Sequence, residues 1–144
     1  MESRERRGLE VAMMTMYRFR FFFDFGAGCL WSDNDAAMEK FGYSVDDAEL
    51  PLTKATVTEI QRIGEWVWRS INPSYPPDPA LWLQDECDRF NESTANVLAT
   101  LRLELGSEFE IVDEQERMME DPELEQYLAN PKGFRRCRTM GTNA

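Results

Sequence analysis

Histidine is absent from this chain, so any chemistry has to come from carboxylates, thiols and backbone groups. That absence removes Ser-His and Cys-His activation of a nucleophile and the commonest metal ligand. A cysteine nucleophile would have to be Cys29, Cys87 or Cys137. Cys87 falls on a predicted core stripe, Cys137 lies in a basic terminal stretch, and Cys29 has no base near it in sequence. Gly26-Ala27-Gly28 lacks the third glycine and the long following helix of a dinucleotide site, and no phosphate-binding loop is present. Asp33-x-Asp35 begins like a calcium loop, but Ala37 occupies the next ligand position and the downstream Gly and Glu are misplaced. Helix capping is the simpler use of that pair. With 27 Asp and Glu in the chain, no single carboxylate pair is informative. The residues point away from an enzyme, a cofactor or a metal.

Charge is the strongest global signal. The net is -11 over 144 residues, and its distribution is uneven. Phe21 to Pro131 carries 7 Lys/Arg against 24 Asp/Glu, whereas Lys132 to Ala144 carries four against none. An acidic centre argues against direct nucleic-acid binding, because phosphate contacts demand Lys and Arg. It suits solubility, or attraction to a basic protein partner. No apolar run approaches the ~20 residues of a membrane span, and no signal-peptide core follows the charged N-terminus. Three scattered cysteines without a CxxC fit a reduced, cytoplasmic protein better than a disulfide scaffold.

The element around which the chain is organised is Ile71 to Trp82, which holds four prolines. Proline lacks a backbone N–H and fixes φ near -65°, which predicts a stiff elbow between two helices. Before it, Thr53 to Ile71 has Val57, Ile60, Gly64, Val67, Trp68 and Ile71 on one stripe, with Trp66 off it. The helix starts near Thr53, or at a Thr56–Glu59 capping box. Gly64 predicts a close crossing with another backbone. After the elbow, Leu83, Cys87, Phe90, Thr94, Val97, Leu98, Leu101 and Leu105 keep a 3.6-residue period. Asp78-Pro79 offers a start and Gly106 a left-handed stop. Two such helices should pair antiparallel.

Tyr17 to Phe25 alternates as a strand, with Tyr17, Phe19, Phe21, Phe23 and Phe25 inward and Gly26 and Gly28 ending it. Ser32 caps a short helix to Phe41, with Asp33 and Asp35 favoured by the helix dipole. Ser107 to Asp113 is a second strand, with Phe109 and Ile111 inward. Its Glu108 and Glu110 match Arg18 and Arg20, which predicts that the two strands pair. Asp121-Pro122 starts a last short helix through Leu128. The predicted fold is α+β and mostly helical. An antiparallel helix hairpin and a short helix pack on one face of a small sheet made from strands near 17–25 and 107–112. Residues 1–16 read as a disordered leader, 17–130 as one domain and 131–144 as a disordered basic tail.

Several motifs occur in order between Phe21 and Ile111: Gly26-x-Gly28-Cys29-Leu30-Trp31-Ser32, Asn34-Asp35-Ala36-Ala37, Lys40-Phe41-Gly42-Tyr43, Leu50-Pro51-Leu52, Tyr75-Pro76-Pro77-Asp78-Pro79, Arg89-Phe90-Asn91 and Leu105-Gly106-Ser107-Glu108-Phe109. This pattern resembles small acidic bacterial proteins associated with immunity to polymorphic or contact-dependent toxins. Pro73, where that group usually has Trp after the elbow's Asn72, Leu83 in place of a polar helix cap, and the basic tail depart from it. The resemblance implies a cytoplasmic, non-catalytic protein that neutralises a toxin through its acidic surface. Asp33, Asp35, Asp46, Asp47 and Glu49, with Tyr75 and Asp78 at the elbow, are the expected contacts to a basic partner, with no nucleic acid and no membrane involved. The alternative is a homo-oligomeric or regulatory protein-binding module, such as a homodimer through Trp66 and the elbow. Tyr75, Trp82, Trp66 and Trp68 beside acids have the make-up of a binding patch, or else wedge the elbow against the helices.

Overall fold

The computed structural model describes residues 15–24 and 28–136. Most of the predicted leader, the end of the first predicted strand at Phe25 and Gly26, and the last eight residues with Cys137 lie outside the described residues. The elements in order are β1 (Tyr17–Phe21), β2 (Leu30–Ser32), α1 (Asp35–Phe41), a 3-10 turn (Asp47–Glu49), α2 (Lys54–Trp68), α3 (Gln84–Leu105), β3 (Phe109–Asp113) and α4 (Leu124–Ala129). The architecture is α+β, with a helix hairpin and a small sheet sharing one core.

β1 is the central strand of the order β2-β1-β3. It pairs antiparallel with β2, Phe19 opposite Ser32, and parallel with β3, Phe19 opposite Ile111. Parallel neighbours need a long crossover, and here it contains β2, α1, α2 and α3. The period-two aromatic face packs inward: Tyr17, Phe19, Phe21 and Phe23 are buried, Phe19 completely. Phe41 of α1 meets Tyr17 and Phe19 edge-on at 5.2 and 5.6 Å, and Phe109 of β3 lies 5.2 and 5.5 Å from the same rings.

β2 was not foreseen, because three residues, all buried, are too few to show an alternation. Its presence moves the helix cap. Ser32 ends the strand and donates its hydroxyl to the Gly42 carbonyl at 2.6 Å, while Asn34 caps α1 by accepting from the Ala37 N–H at 3.0 Å. The extra strand also redirects the charges of β1. Arg18 pairs with Asp33 at 3.0 Å and Arg20 with Glu114 at 2.7 Å, not with Glu108 and Glu110 as expected. Although Arg18 stands opposite Glu110 in register, Asp33 is held nearer by its own N–H, which donates to the Arg18 carbonyl at 2.7 Å.

α2 and α3 pair antiparallel, and the pairing is tied at both ends. Glu104, near the end of α3, accepts from Thr53 N–H at 2.9 Å, Thr53 Oγ1 at 3.1 Å and Thr56 Oγ1 at 2.7 Å at the start of α2. At the other end Trp66 Nε1 donates to Glu86 Oε2 at 2.8 Å. Thr53 is the cap, so Glu59 is released from the proposed capping box and pairs with Arg62 at 2.7 Å. The buried face of α2 is Thr56, Ile60, Ile63, Trp66 and Val67. The assignment of the two tryptophans is thereby reversed: Trp66 is 7% exposed and Trp68 50%. The helix also stops at Trp68, short of Ile71.

The elbow is organised by Asn72, whose side chain is buried. Its Nδ2 donates to the Pro79 carbonyl at 2.9 Å, and its Oδ1 accepts from the N–H groups of Ser74 and Tyr75 at 3.0 and 3.2 Å. That closes the proline run into a loop, so Asp78-Pro79 turns there and does not start the helix. α3 begins at Gln84 after Leu83, which supplies no side-chain cap. Its first N–H donates instead to Glu120 Oε1 at 2.9 Å. α4 begins at Leu124, two residues after the Asp121-Pro122 start, with Asp121 Oδ1 accepting from the Glu123 N–H at 2.9 Å.

The two helix glycines behave oppositely. Gly106 ends α3 at φ +80°, whereas a Cβ on Gly64 would meet nothing within 4 Å, so no backbone of the described residues crosses there. Gly106→Ala is expected to destabilise by about 1–3 kcal/mol, since φ +80° with ψ -169° is a region essentially confined to glycine, and Gly64→Ala to stabilise by about 0.5–1 kcal/mol. Urea unfolding midpoints of the two variants check both signs.

Candidate partner-binding surface

The predicted contact residues separate into three places. Asp46, Asp47 and Glu49 share the 3-10 turn, where Asp46 Oδ1 accepts from the Ala48 N–H at 3.0 Å. This turn hangs from β2. Ser32 N–H donates to the Tyr43 carbonyl at 2.9 Å, Val45 N–H to the Leu30 carbonyl at 3.1 Å, and Trp31 bridges Ser44 antiparallel. Val45 and Leu50, both buried, anchor the two ends of the acidic loop. Because the loop runs back along β2, Asp46, Asp47 and Glu49 come to the Leu30 end of that strand. Asp33 and Asp35 leave from its Ser32 end, Asp33 engaged by Arg18 and Asp35 exposed in the first turn of α1.

The elbow forms the third place. Tyr75 is 57% exposed, and Asp78 is half-buried with its N–H donating to the Tyr75 carbonyl at 2.8 Å. A C-terminal segment is clasped to the same loop. Arg136 donates to the Pro77 carbonyl at 3.0 Å and pairs with Asp121 at 2.9 Å and Glu123 at 3.3 Å. Burial alone would push the Asp121 carboxyl up. The hydrogen bonds from Arg136 and the Glu123 N–H, with the Arg136 charge, outweigh it and hold the carboxyl below its usual range.

Two of the three tryptophans beside the elbow, Trp66 and Trp82, are structural, whereas Trp68 is half-exposed. Trp66, Trp82 and Phe90 form a buried ring cluster with centroids 5.1 to 5.7 Å apart. Trp66 is thus withdrawn from the dimer surface it was expected to offer. A different aromatic row lies beyond the core: Phe22 stacks on Trp31 at 5.1 Å, Trp31 meets Tyr43 at 5.4 Å, and Arg20 sits over Phe22 at 5.1 Å. Tyr43 is the exposed end of the row. Phe22 was legible as an outward aromatic on β1, but its partners depended on β2.

Cys29 and Cys87 are buried thiols. Burial pushes the Cys29 thiol well above its usual value and the Asp47 charge adds to this. Burial likewise raises the Cys87 thiol, followed by the charges of Asp88, Glu120 and Glu86. Both are protonated at neutral pH and make poor nucleophiles. Among the described residues, no three His, Cys, Asp or Glu side chains are grouped to hold a metal ion, and no helix is long and apolar enough to cross a membrane.

Asp47 stands apart from the other acids. Its Oδ1 is shielded from solvent and has no hydrogen-bond partner among the described residues. Burial, then the neighbouring Asp46 charge, raises its carboxyl above the ordinary value. A carboxyl whose folded pKa is raised favours the folded state most when protonated, so its ionisation costs stability as pH rises through the folded value. Asp47→Asn is therefore expected to raise the free energy of unfolding at pH 7. That gain should fade on acidification towards the unfolded carboxyl value of about 3.9. Urea titrations of both proteins at pH 7 and below pH 4 check this, and an equal difference at both pH values contradicts it.

Residues 17–115 match the model of a family described as Serratia CdiI immunity protein-like. The match starts at the first residue of β1 and ends just past β3, so the Arg136 clasp lies beyond it. No curated protein matches the chain.

Proposed function

The chain belongs to the Serratia CdiI immunity protein-like family, and on that premise we propose that it is a cytoplasmic, non-catalytic protein that binds and neutralises a cognate toxin through its acidic surface. Family membership is the observation that carries this reading. The charge supports it: 24 Asp/Glu stand against 7 Lys/Arg between Phe21 and Pro131. Many intracellular toxins act on nucleic acid and have basic clefts, and an acidic face speeds association with such surfaces.

The turn of Asp46, Asp47 and Glu49 is the primary contact in this reading. It is anchored at its two ends by the buried Val45 and Leu50, which lowers the ordering cost of presenting its charges on binding. Asp35 and the partly engaged Asp33 extend the field, with Tyr75 and Asp78 as a separate contact at the elbow. The partner is a basic protein, and neither nucleic acid nor membrane is required.

Recovery of the tagged protein from its native cells, with bound material washed through a salt series, tests the reading. A basic partner released by salt, whose toxicity the chain abolishes on co-expression, is the expected result. Recovery of the chain alone overturns it. With that partner in hand, Asp46/Asp47→Asn/Asn should lower the association rate about tenfold at low salt, with a smaller effect at high salt. Asn at 46 keeps the turn's cap, so stability should not fall. Stopped-flow association at two salt concentrations measures the effect, and an unchanged rate removes this turn from the interface.

A further inference from the structure

The elbow loop is tied at its base by Asn72, which holds Ser74, Tyr75 and Pro79. Its tip, Pro76 to Asp78, is closed by the Asp78 N–H on the Tyr75 carbonyl at 2.8 Å. Two of the three tip residues are prolines, and a proline offers its carbonyl as its only backbone polar group. Arg136 takes the Pro77 carbonyl through Nε at 3.0 Å. The path of the chain to Arg136 is itself fixed. Leu124 and Tyr127 bury the inner face of α4, the Gly133 N–H donates to Asn130 Oδ1 at 3.2 Å, and Phe134 packs edge-on against Tyr127 at 5.5 Å.

The guanidinium also meets Asp121 and Glu123, whose side chains are only 16% and 19% exposed. Its charge is favoured first by the Asp121 hydrogen bond, against desolvation, and then by the charges of Asp121, Glu123 and Asp78. Without it, two poorly solvated carboxylates and the Asp78 of the tip would stand as like charges around the vacated place. We propose that α4 and the return to Arg136 form an ionic strap that locks the elbow tip and so fixes how Tyr75 and Asp78 are presented. Arginine suits the lock because Nε, Nη1 and Nη2 each engage a different acceptor, Pro77, Glu123 and Asp121, a planar fork that a single lysine nitrogen does not reproduce. Arg136 is thus a positioning residue, acting on the elbow surface through the loop backbone. The strap lies beyond residues 17–115 of the family match, and it does not depend on the binding reading.

Solvent exchange of the Tyr75 and Asp78 amides, measured by NMR on the full chain, tests the lock, with the α3 amides of Phe90, Leu98 and Leu101 as the internal reference. Arg136→Gln, which removes the charge and the fork, should speed exchange at Tyr75 and Asp78 about three- to tenfold, as expected for a partly exposed ionic contact, and leave the α3 amides unchanged. Arg136→Lys should fall between Gln and the wild type. Salt at about 1 M should speed the same two amides in the wild type and not in Arg136→Gln. Unchanged exchange at Tyr75 and Asp78 in Arg136→Gln overturns the proposal. Equal acceleration of the α3 amides also overturns it, because Arg136 would then support the whole fold and not the elbow. The measurement needs no partner, so the absence of a toxin would remove the functional reading and leave the strap standing.

Discussion

The rest of this fold depends on one strand being satisfied on four sides. β1 uses its edges for β2 and β3 and buries Tyr17, Phe19 and Phe21 on one face. Its other face carries Arg18, Arg20 and, just beyond, Phe22. Two strands would be marginal in water, and a third with helices over the aromatic face makes the sheet viable. Burying one large apolar side chain contributes roughly 1.5–3 kcal/mol, so this face sets where α1, α2 and α3 can lie.

The helices follow from that constraint, and carboxylates hold them in place. Glu104 satisfies donors at the start of α2, which would otherwise be orphaned at a helix terminus. The Thr53 N–H and the Thr56 hydroxyl hold the Glu104 carboxyl below its ordinary value. Glu86 receives the Trp66 indole N–H at the opposite end, so an otherwise buried polar atom has a partner. At that same end lies the ring cluster of Trp66, Trp82 and Phe90, which wedges the elbow against the hairpin. Acids that look redundant in the composition are thereby divided into those that build the fold and those left at the surface.

That division gives the net charge of -11 a spatial meaning. Asp33, Glu104, Glu114 and Asp121 are engaged within the chain, whereas Asp35 and Glu49 are exposed and Asp46 only caps its own turn. Asp47 belongs to neither group: its Oδ1 is sheltered, with no hydrogen-bond partner among the described residues.

Sequence alone determined the elements whose pattern is long or chemically unambiguous. The β1 alternation, the five-turn stripe of α3, its stop at Gly106 and the proline elbow all depend on local periodicity or backbone chemistry, which need no neighbours. The antiparallel hairpin followed from the elbow, and the motif order from Gly26 to Phe109 carried the family. Tertiary structure decided the rest. β2 is too short to have a period, and its insertion moved the cap from Ser32 to Asn34 and drew Arg18 to Asp33. Trp66 and Trp68 differ by two positions on one helix, and only the course of α3 determines which of them is buried. Gly64 shows the same limit. Its place in an apolar stripe predicted a close crossing, and among the described residues no other backbone comes near it.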